Sequence, residues 1–240
     1  MKFIKALNKD YKIILGSSSP RRIHLLKSIG INFEVLSPDI DENIFQKNEP
    51  VLYCKKISLL KLFEIIKKIY FDEKDYDKFD CLEQFINESL ENKNSEITLE
   101  HTLDKFLLKN KSSILIISAD TIVFKNNKIL NKPSDKNDAI NILKSLSNSN
   151  HSVYTGVSIF NSSNKKIISN YSKTNVYFRK LDVDEIIDYV KTEKPMDKAG
   201  AYGLQDDYGS LFISKIEGCS NNVIGLPLEL VFQMLKQITI

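Results

Sequence analysis

Four short stretches of this 240-residue chain carry side chains able to do chemistry. The first is "IISADTIVF", where Asp120 stands inside the most apolar run of the sequence. A carboxylate in such surroundings is costly to desolvate and is rarely left without a partner. It meets a cation or a metal, works as a base with a raised pKa, or bonds to nearby backbone N–H groups. Thr121 follows and, by strand alternation, points to the opposite face. The second stretch is "GSSSPRR", with Ser17 to Ser19 ahead of Pro20 and then Arg21 and Arg22. Two cations in a first helical turn oppose the helix dipole, at a cost of about 0.3–1 kcal/mol each. A bound phosphate would reverse that sign, drawing on free backbone N–H groups, serine hydroxyls and both guanidinium groups. The alternative is that Ser18 or Ser19 only caps the helix and both arginines face solvent.

The third stretch is "EKPMDKAGAYGLQDDYG", residues 193–209. Lys198 precedes a small-residue turn in which Gly200 and Gly203 let backbone come close to a ligand. Tyr202 and Gln205 could stack on and hydrogen-bond a base; the same composition also suits a plain turn-rich loop. The fourth, "SPDIDENIF", puts Asp39, Asp41 and Glu42 in a loop. Alone they are solvated acids; brought beside Asp120 they could hold Mg²⁺, which takes one or two carboxylates plus substrate phosphates.

The elements that must position these groups follow from apolar spacing. Residues 12–15 predict a strand and 20–29 a helix opened by Pro20 and stopped by Gly30. "INFEVLSP" predicts a second strand, and residues 50–69 a long amphipathic helix opened by Pro50. "SSILIISADTIVF" reads as a central strand. After the turn "NKILNKP" come a helix in "SDKNDAINILKSLS", capped by Ser134, and strands in "HSVYTGVSIF", "KKIISNYSKTNVYF" and "GSLFISKIEG". Helices at 182–191 and about 227–237 complete an α/β pattern with a mixed sheet. His151 opens a strand and is expected to serve structure.

Net charge is only +3, which singles out neither nucleic acid nor a membrane surface as a partner. Residues 71–112 hold 11 acidic residues against 6 Lys, so the rest of the chain carries 28 Lys/Arg against 20 Asp/Glu and suits an anionic ligand. That acidic stretch has neither Gly nor Pro and weak periodicity, and reads as a surface insertion, helical around 82–90 and 99–108. Cys54, Cys81 and Cys219 form no CxxC pair, which argues against a disulfide framework or zinc site and fits a reducing, cytoplasmic setting. No run approaches the roughly 18 apolar residues of a membrane span. GxxxxGK[ST], GxGxxG, GxSxG and HExxH are all absent.

Read in order, "SSSPRR", "DEN", Lys61, "SADTIV", "KILNKP", "HSVYTGVSI", "YVKTEKPMDKAGAYGLQ" and "NNVIGLPLELV" resemble the Maf family of nucleoside triphosphate pyrophosphatases over about residues 11–238. The resemblance implies an inosine-triphosphate-pyrophosphatase-like fold: an elongated mixed β-sheet with flanking helices, a cleft between two lobes, and one domain over residues 1–240, assembled as a homodimer. It implies cleavage of a nucleoside triphosphate to monophosphate and pyrophosphate with a divalent cation (Mg²⁺, Mn²⁺ or Co²⁺). Asp120 matches the family's proton-accepting acid, and Glu42, Lys61, Lys132 and Lys198 match active-site positions, as do Ser17 or Ser19 and Arg22. Glu42 and Asp120 are the implied metal ligands. Arg21, Thr121 and Gln205 match the branch acting on dTTP and UTP. Cys219, where the family has Asp, and Asn131, where it has Gly, depart from the pattern. The resemblance also allows a nucleotide-binding regulator of division without catalysis.

Overall fold

A computed structural model of the chain describes residues 1–40, 49–70, 113–205 and 208–239, and the backbone alone of 96–98. Asp41, Glu42, Cys81 and the remainder of 71–112 lie outside the described residues.

Chain order is α1 (Lys2–Asp10), β1 (Lys12–Gly16), α2 (Pro20–Ser28), β2 (Glu34–Val35), α3 (Pro50–Tyr70), β3 (Glu96–Thr98), β4 (Ile114–Lys125) and β5 (Lys128–Leu130). It continues with α4 (Lys136–Leu146), β6 (Asn150–Asn161), β7 (Lys166–Phe178), α5 (Val183–Lys191), three 3₁₀ turns between Lys194 and Phe212, β8 (Ile213–Glu217), α6 (Ser220–Ile224) and α7 (Leu228–Thr239). The strands form one mixed sheet ordered β2-β1-β4-β6-β7-β3, with β5 added to β4 and β8 to β7. β2, β1 and β4 run parallel, whereas β4, β6 and β7 are antiparallel neighbours. The 12- and 13-residue strands β4, β6 and β7 extend the sheet to roughly 40 Å.

Alternation along β1 and β4 divides the apolar side chains between two faces. Ile14, Ile114 and Ile116 meet Leu59, Leu62, Phe63, Ile65 and Ile66 of α3. Ile13, Leu15, Leu115, Ile117 and Ala119 meet α1, α2 and α7 through Leu7, Leu26, Val231 and Leu235. Elsewhere on the sheet, Val123 of β4, Val153 of β6 and Val176 and Phe178 of β7 join α4 and α5 in another cluster.

The interface between α3 and the sheet is not wholly apolar. Ser58 Oγ and Ser158 Oγ are 2.8 Å apart, Ser158 Oγ donates to Ser169 Oγ, and Ser118 Oγ donates to the Ser58 carbonyl at 2.7 Å. Gly156 lets the helix lie close here, for a Cβ at that position would sit 2.2 Å from the Cys54 carbonyl oxygen.

The expected helices and long strands are present, with local differences. The second strand shrinks to Glu34–Val35, an exposed edge that pairs, among the described residues, with Ile14 and Leu15. In "GSLFISKIEG" the strand begins at Ile213, because residues 209–212 form a 3₁₀ turn that seats Phe212 edge-on against Tyr189, centroids 5.2 Å apart. The cap of α4 is Asp135, not Ser134: the Asp135 side chain accepts from the Asp138 N–H at 2.8 Å, while Ser134 donates to the Asp138 carboxylate. Helices α1 and α6 are additional. α1 buries Ile4 and Leu7 at i, i+3 spacing. Within the expected insertion, residues 96–98 pair antiparallel with β7, and the helices expected around 82–90 and 99–108 lie outside the described residues.

No helix among the described residues is long and apolar enough to cross a membrane.

Candidate active site

The site sits on a gap in the edge of β4. Parallel pairing with β1 ends at Gly16 opposite Ser118, and pairing with β5 begins only at Val123 opposite Leu130. Residues 119–122 lie between, just past the carboxyl end of β1, where open α/β sheets bind ligands. Asp120 and Thr121 occupy this gap on opposite faces, so one strand supplies the site with an acid from one side and a hydroxyl from the other.

Asp120 is 6% exposed and its Oδ1 accepts from Lys61 Nζ at 2.7 Å. Lys61 lies one helical turn after Ser58, so the hydroxyl contacts under α3 also set the height of the lysine above the sheet. The partner required by a buried carboxylate is therefore a cation. Cys54 of the same helix is no nucleophile: burial and then the nearby Asp120 charge push its thiol pKa far up, keeping it protonated.

The two arginines of α2 diverge. Arg21 faces the open pocket, where Nη1 donates to Asp197 Oδ2 at 2.7 Å and Nη2 to the Asp197 carbonyl at 3.3 Å. Arg22 is buried as a strut: Nε donates to the Gly225 carbonyl at 2.8 Å, Nη1 to Ser17 Oγ at 3.1 Å and Nη2 to Thr121 Oγ1 at 3.0 Å. Thr121 also lies 2.9 Å from Thr155 Oγ1, so it holds Arg22 in place more directly than it meets open space. Gly225, at the end of α6, is fixed in turn by the buried Asn222, whose Nδ2 donates to the Val153 carbonyl and Thr174 Oγ1. Neither Asn222 nor the Gly225 carbonyl is marked by sequence type; only their place in "NNVIG" points to them. Ser19 is the N-cap of α2 but makes no side-chain cap bond, and its own N–H donates to Ser17 Oγ at 3.3 Å. Ser19 thus holds the cap position without a side-chain bond that would close off the helix N-terminus, and the alternative with both arginines facing solvent is overturned by buried Arg22.

The 194–205 segment forms the facing wall. Lys198, 8% exposed, donates to Asp197 Oδ1 at 2.7 Å and to the Lys194 carbonyl. Burial raises the Asp197 carboxyl, but hydrogen bonds from Lys198 and Arg21 outweigh it and hold the pKa below the usual range. Sequence reasoning passed over Asp197; its one signal was an acid directly before Lys198 in a cation-rich site. The turn after Lys198 needs glycine: Gly200 has φ +71°, and a Cβ there would lie 2.8 Å from Val123 Cγ2. Its N–H donates to the Asn131 carbonyl at 3.2 Å, which brings exposed Lys132 to the same pocket. Gln205 lies exposed on the pocket rim.

Tyr202 is a correction. Its ring is 5% exposed, edge-on to Phe178 at 4.8 Å and to His151 at 5.3 Å, so it builds the wall and offers no open face for stacking. Its hydroxyl lies 2.7 Å from His151 Nε2, which makes His151 structural as expected. Burial, and then the charge of Lys125, lower the His151 pKa from 6.5 to about 3. The unfolded chain therefore binds the extra proton between those values, and the His151 contribution is lost as pH falls. Stability is expected to drop by on the order of 2 kcal/mol by about pH 5. Chemical denaturation across this range should show a shallower fall in a His151→Gln variant.

Together these walls enclose a cavity of about 450 Å³, lined by Ser19, Arg21, Arg22, Lys61, Asp120, Thr121, Lys132, Lys198, Tyr202 and Gln205. A smaller hollow of about 270 Å³ joins Ser17 to Ser19, Arg21, Arg22, Lys61 and Lys132 at the start of α2. The structure thus brings together every described residue singled out in the sequence for the site; Asp39 is an exposed loop residue, and Glu42 is outside the described residues.

A mixed α/β sheet bearing a cation-lined pocket over one buried acid defines a protein built to bind a polyanionic small molecule. The chain belongs to the Maf-like protein family, whose profile matches residues 12–238. Among curated relatives, the dTTP/UTP pyrophosphatase of Thermosipho melanesiensis is 39% identical over 223 residues, covering 93% of this chain and 96% of that one. The protein of the same name from Caldicellulosiruptor saccharolyticus is 36% identical over 227 residues, covering 95% and 94%. The solved nucleoside-triphosphatase/dITP/XTP pyrophosphatase of Mycobacterium abscessus aligns over 94% of each chain at 9% identity and TM-score 0.40, a likeness too slight to carry an argument.

Proposed function

We propose that this protein hydrolyses dTTP and UTP to the monophosphate and pyrophosphate, keeping the nucleotide pool clean. The observation that carries this is the buried Asp120–Lys61 pair on the floor of a pocket also lined by Arg21, Arg22, Lys132 and Lys198. Phosphoryl transfer depends mostly on positioning and charge, and the chain supplies both. Asp120 orients or deprotonates the attacking water. Lys61 fixes the orientation of that carboxylate, and Arg21, Lys132 and Lys198 offset charge growing on the leaving pyrophosphate. Arg22 holds Ser17 and Thr121 in place around them.

The donor set fits a divalent cation (Mg²⁺, Mn²⁺ or Co²⁺) that enters with its substrate. Among the described residues no group of three His, Cys, Asp or Glu surrounds a metal position by itself, and both oxygens of Asp197 are engaged. Asp120 is the described carboxylate that would hold the ion, with Glu42 as its second ligand and substrate phosphates completing the shell. Bound there, the ion supplies Lewis-acid polarisation of the phosphates. The same reading takes in a two-lobed cleft, a homodimer and a cytoplasmic location.

The test is pyrophosphate release from a panel of nucleoside triphosphates with Mg²⁺, Mn²⁺ or Co²⁺. Preference for dTTP and UTP is the expected result; tight binding of nucleotides with no release would instead identify a non-catalytic regulator. Within that panel, Arg21→Ala is expected to lower the rate and also to change the order of preference, because Arg21 lines the pocket at the position that matches the dTTP/UTP branch. Arg22→Ala should lower cleavage of every nucleotide about tenfold or more, because it removes a buried strut with three hydrogen bonds.

A further inference from the structure

Among the described residues, Asp197 is the anion lining this pocket with no part in the proposed chemistry. Its carboxylate bridges two of the cations assigned to the substrate, Oδ2 to Arg21 Nη1 and Oδ1 to Lys198 Nζ, both at 2.7 Å. The bridge crosses the pocket, from α2 to the segment after α5. Each cation also has a backbone anchor that owes nothing to the carboxylate: the Asp197 carbonyl for Arg21 and the Lys194 carbonyl for Lys198. Removing the carboxylate would leave both cations tethered where they are. The Asp197 side chain is 60% exposed, and an ion pair that open to solvent is weak and readily exchanged.

We propose that Asp197 is an internal counter-anion, holding Arg21 and Lys198 neutralised in the free protein until phosphates of the ligand displace it. The proposal rests on the nucleotide-triphosphate reading of the site for the identity of that ligand. A carboxylate in this position competes with a polyanion in two ways: it occupies the two cations, and it remains nearby as a like charge once displaced. It thereby limits how tightly the pocket holds phosphate, product pyrophosphate included.

The experiment is calorimetric titration of the full-length protein with inorganic triphosphate. Asp197→Asn should bind it about tenfold more tightly than the parent protein. The gain should shrink when Arg21→Ala is already present, since one competed cation is then gone. Asp197→Ser, which also removes the charge, should repeat the gain if the asparagine variant folds poorly. Unchanged or weaker binding in both variants overturns the proposal, as weaker binding would mean the carboxylate positions the cations rather than competes for them. Absence of triphosphate binding in all the proteins overturns it as well. The titration needs no turnover, so a parent protein that releases no pyrophosphate from dTTP or UTP refutes the proposed activity and leaves this result to be judged separately.

Discussion

Asp120→Asn is expected to lower the rate of pyrophosphate release from dTTP and UTP by about 10³-fold, within the 10²–10⁴ range usual for a positioned acid–base group. The change should fall mainly on kcat, because Arg21, Lys132 and Lys198 are untouched, and the divalent-cation requirement should rise because Asp120 is the carboxylate assigned to hold the ion. Asparagine keeps the shape and can still accept from Lys61 Nζ, now 2.7 Å from Oδ1. The fold should therefore survive, which a melting curve beside the kinetics would confirm. Lys61→Met is the harsher change, since it strands the buried Asp120 charge without its partner. Loss of one member of such a pair costs about 3–5 kcal/mol. A protein with asparagine at position 120 that works at the parent rate would remove Asp120 from the chemistry and return the site to a binding role.

Gly156→Ala is the substitution expected to damage the fold most. The added Cβ would lie 2.2 Å from the Cys54 carbonyl oxygen, 2.4 Å from its carbon and 2.7 Å from the Lys55 nitrogen. These are backbone atoms of a 21-residue helix, so no side chain can swing aside; α3 must lift as a whole. The apolar contacts of Leu59, Leu62, Ile65 and Ile66 loosen with it, and a loss of about 3 kcal/mol or more is expected on urea denaturation. Activity should fall even at temperatures where the variant stays folded, because Lys61 rides on the displaced helix. A variant as stable and as active as the parent would show that the close seating of α3 is not needed.

How much was legible beforehand depended on whether a residue's role is local. α2, α3, β4, β6 and β7 announce themselves by apolar spacing, and Asp120 by its contrast with its own neighbours. Ser17, Arg21 and Lys198 were visible as an anion-binding composition, and the resemblance to a known family placed them in one site. What stayed hidden is relational. That Arg22 is a strut depends on a carbonyl 203 residues away in the chain, and that Tyr202 is walled in depends on Phe178 and His151. Asp197 is marked in the sequence only by its place before Lys198, and the fold alone brings Arg21 to it across the pocket. The α4 cap shifted from Ser134 to Asp135 because neighbouring capping residues compete, and only geometry decides between them. Short α6 escaped for another reason: five residues give too little periodicity to detect.

The buried hydroxyls between α3 and the sheet have a consequence for uniqueness rather than for strength. An apolar helix face can slide along a sheet by a fraction of a turn at little cost, because dispersion contacts have no direction. Hydrogen bonds do. Ser58 Oγ to Ser158 Oγ and Ser118 Oγ to the Ser58 carbonyl cross from helix to sheet, so a slipped helix would break both in a dry interior, at about 1–3 kcal/mol for each polar group left unpaired. The serines thus act as an indexing key, admitting one seating of the helix and with it one alignment of lysine to acid.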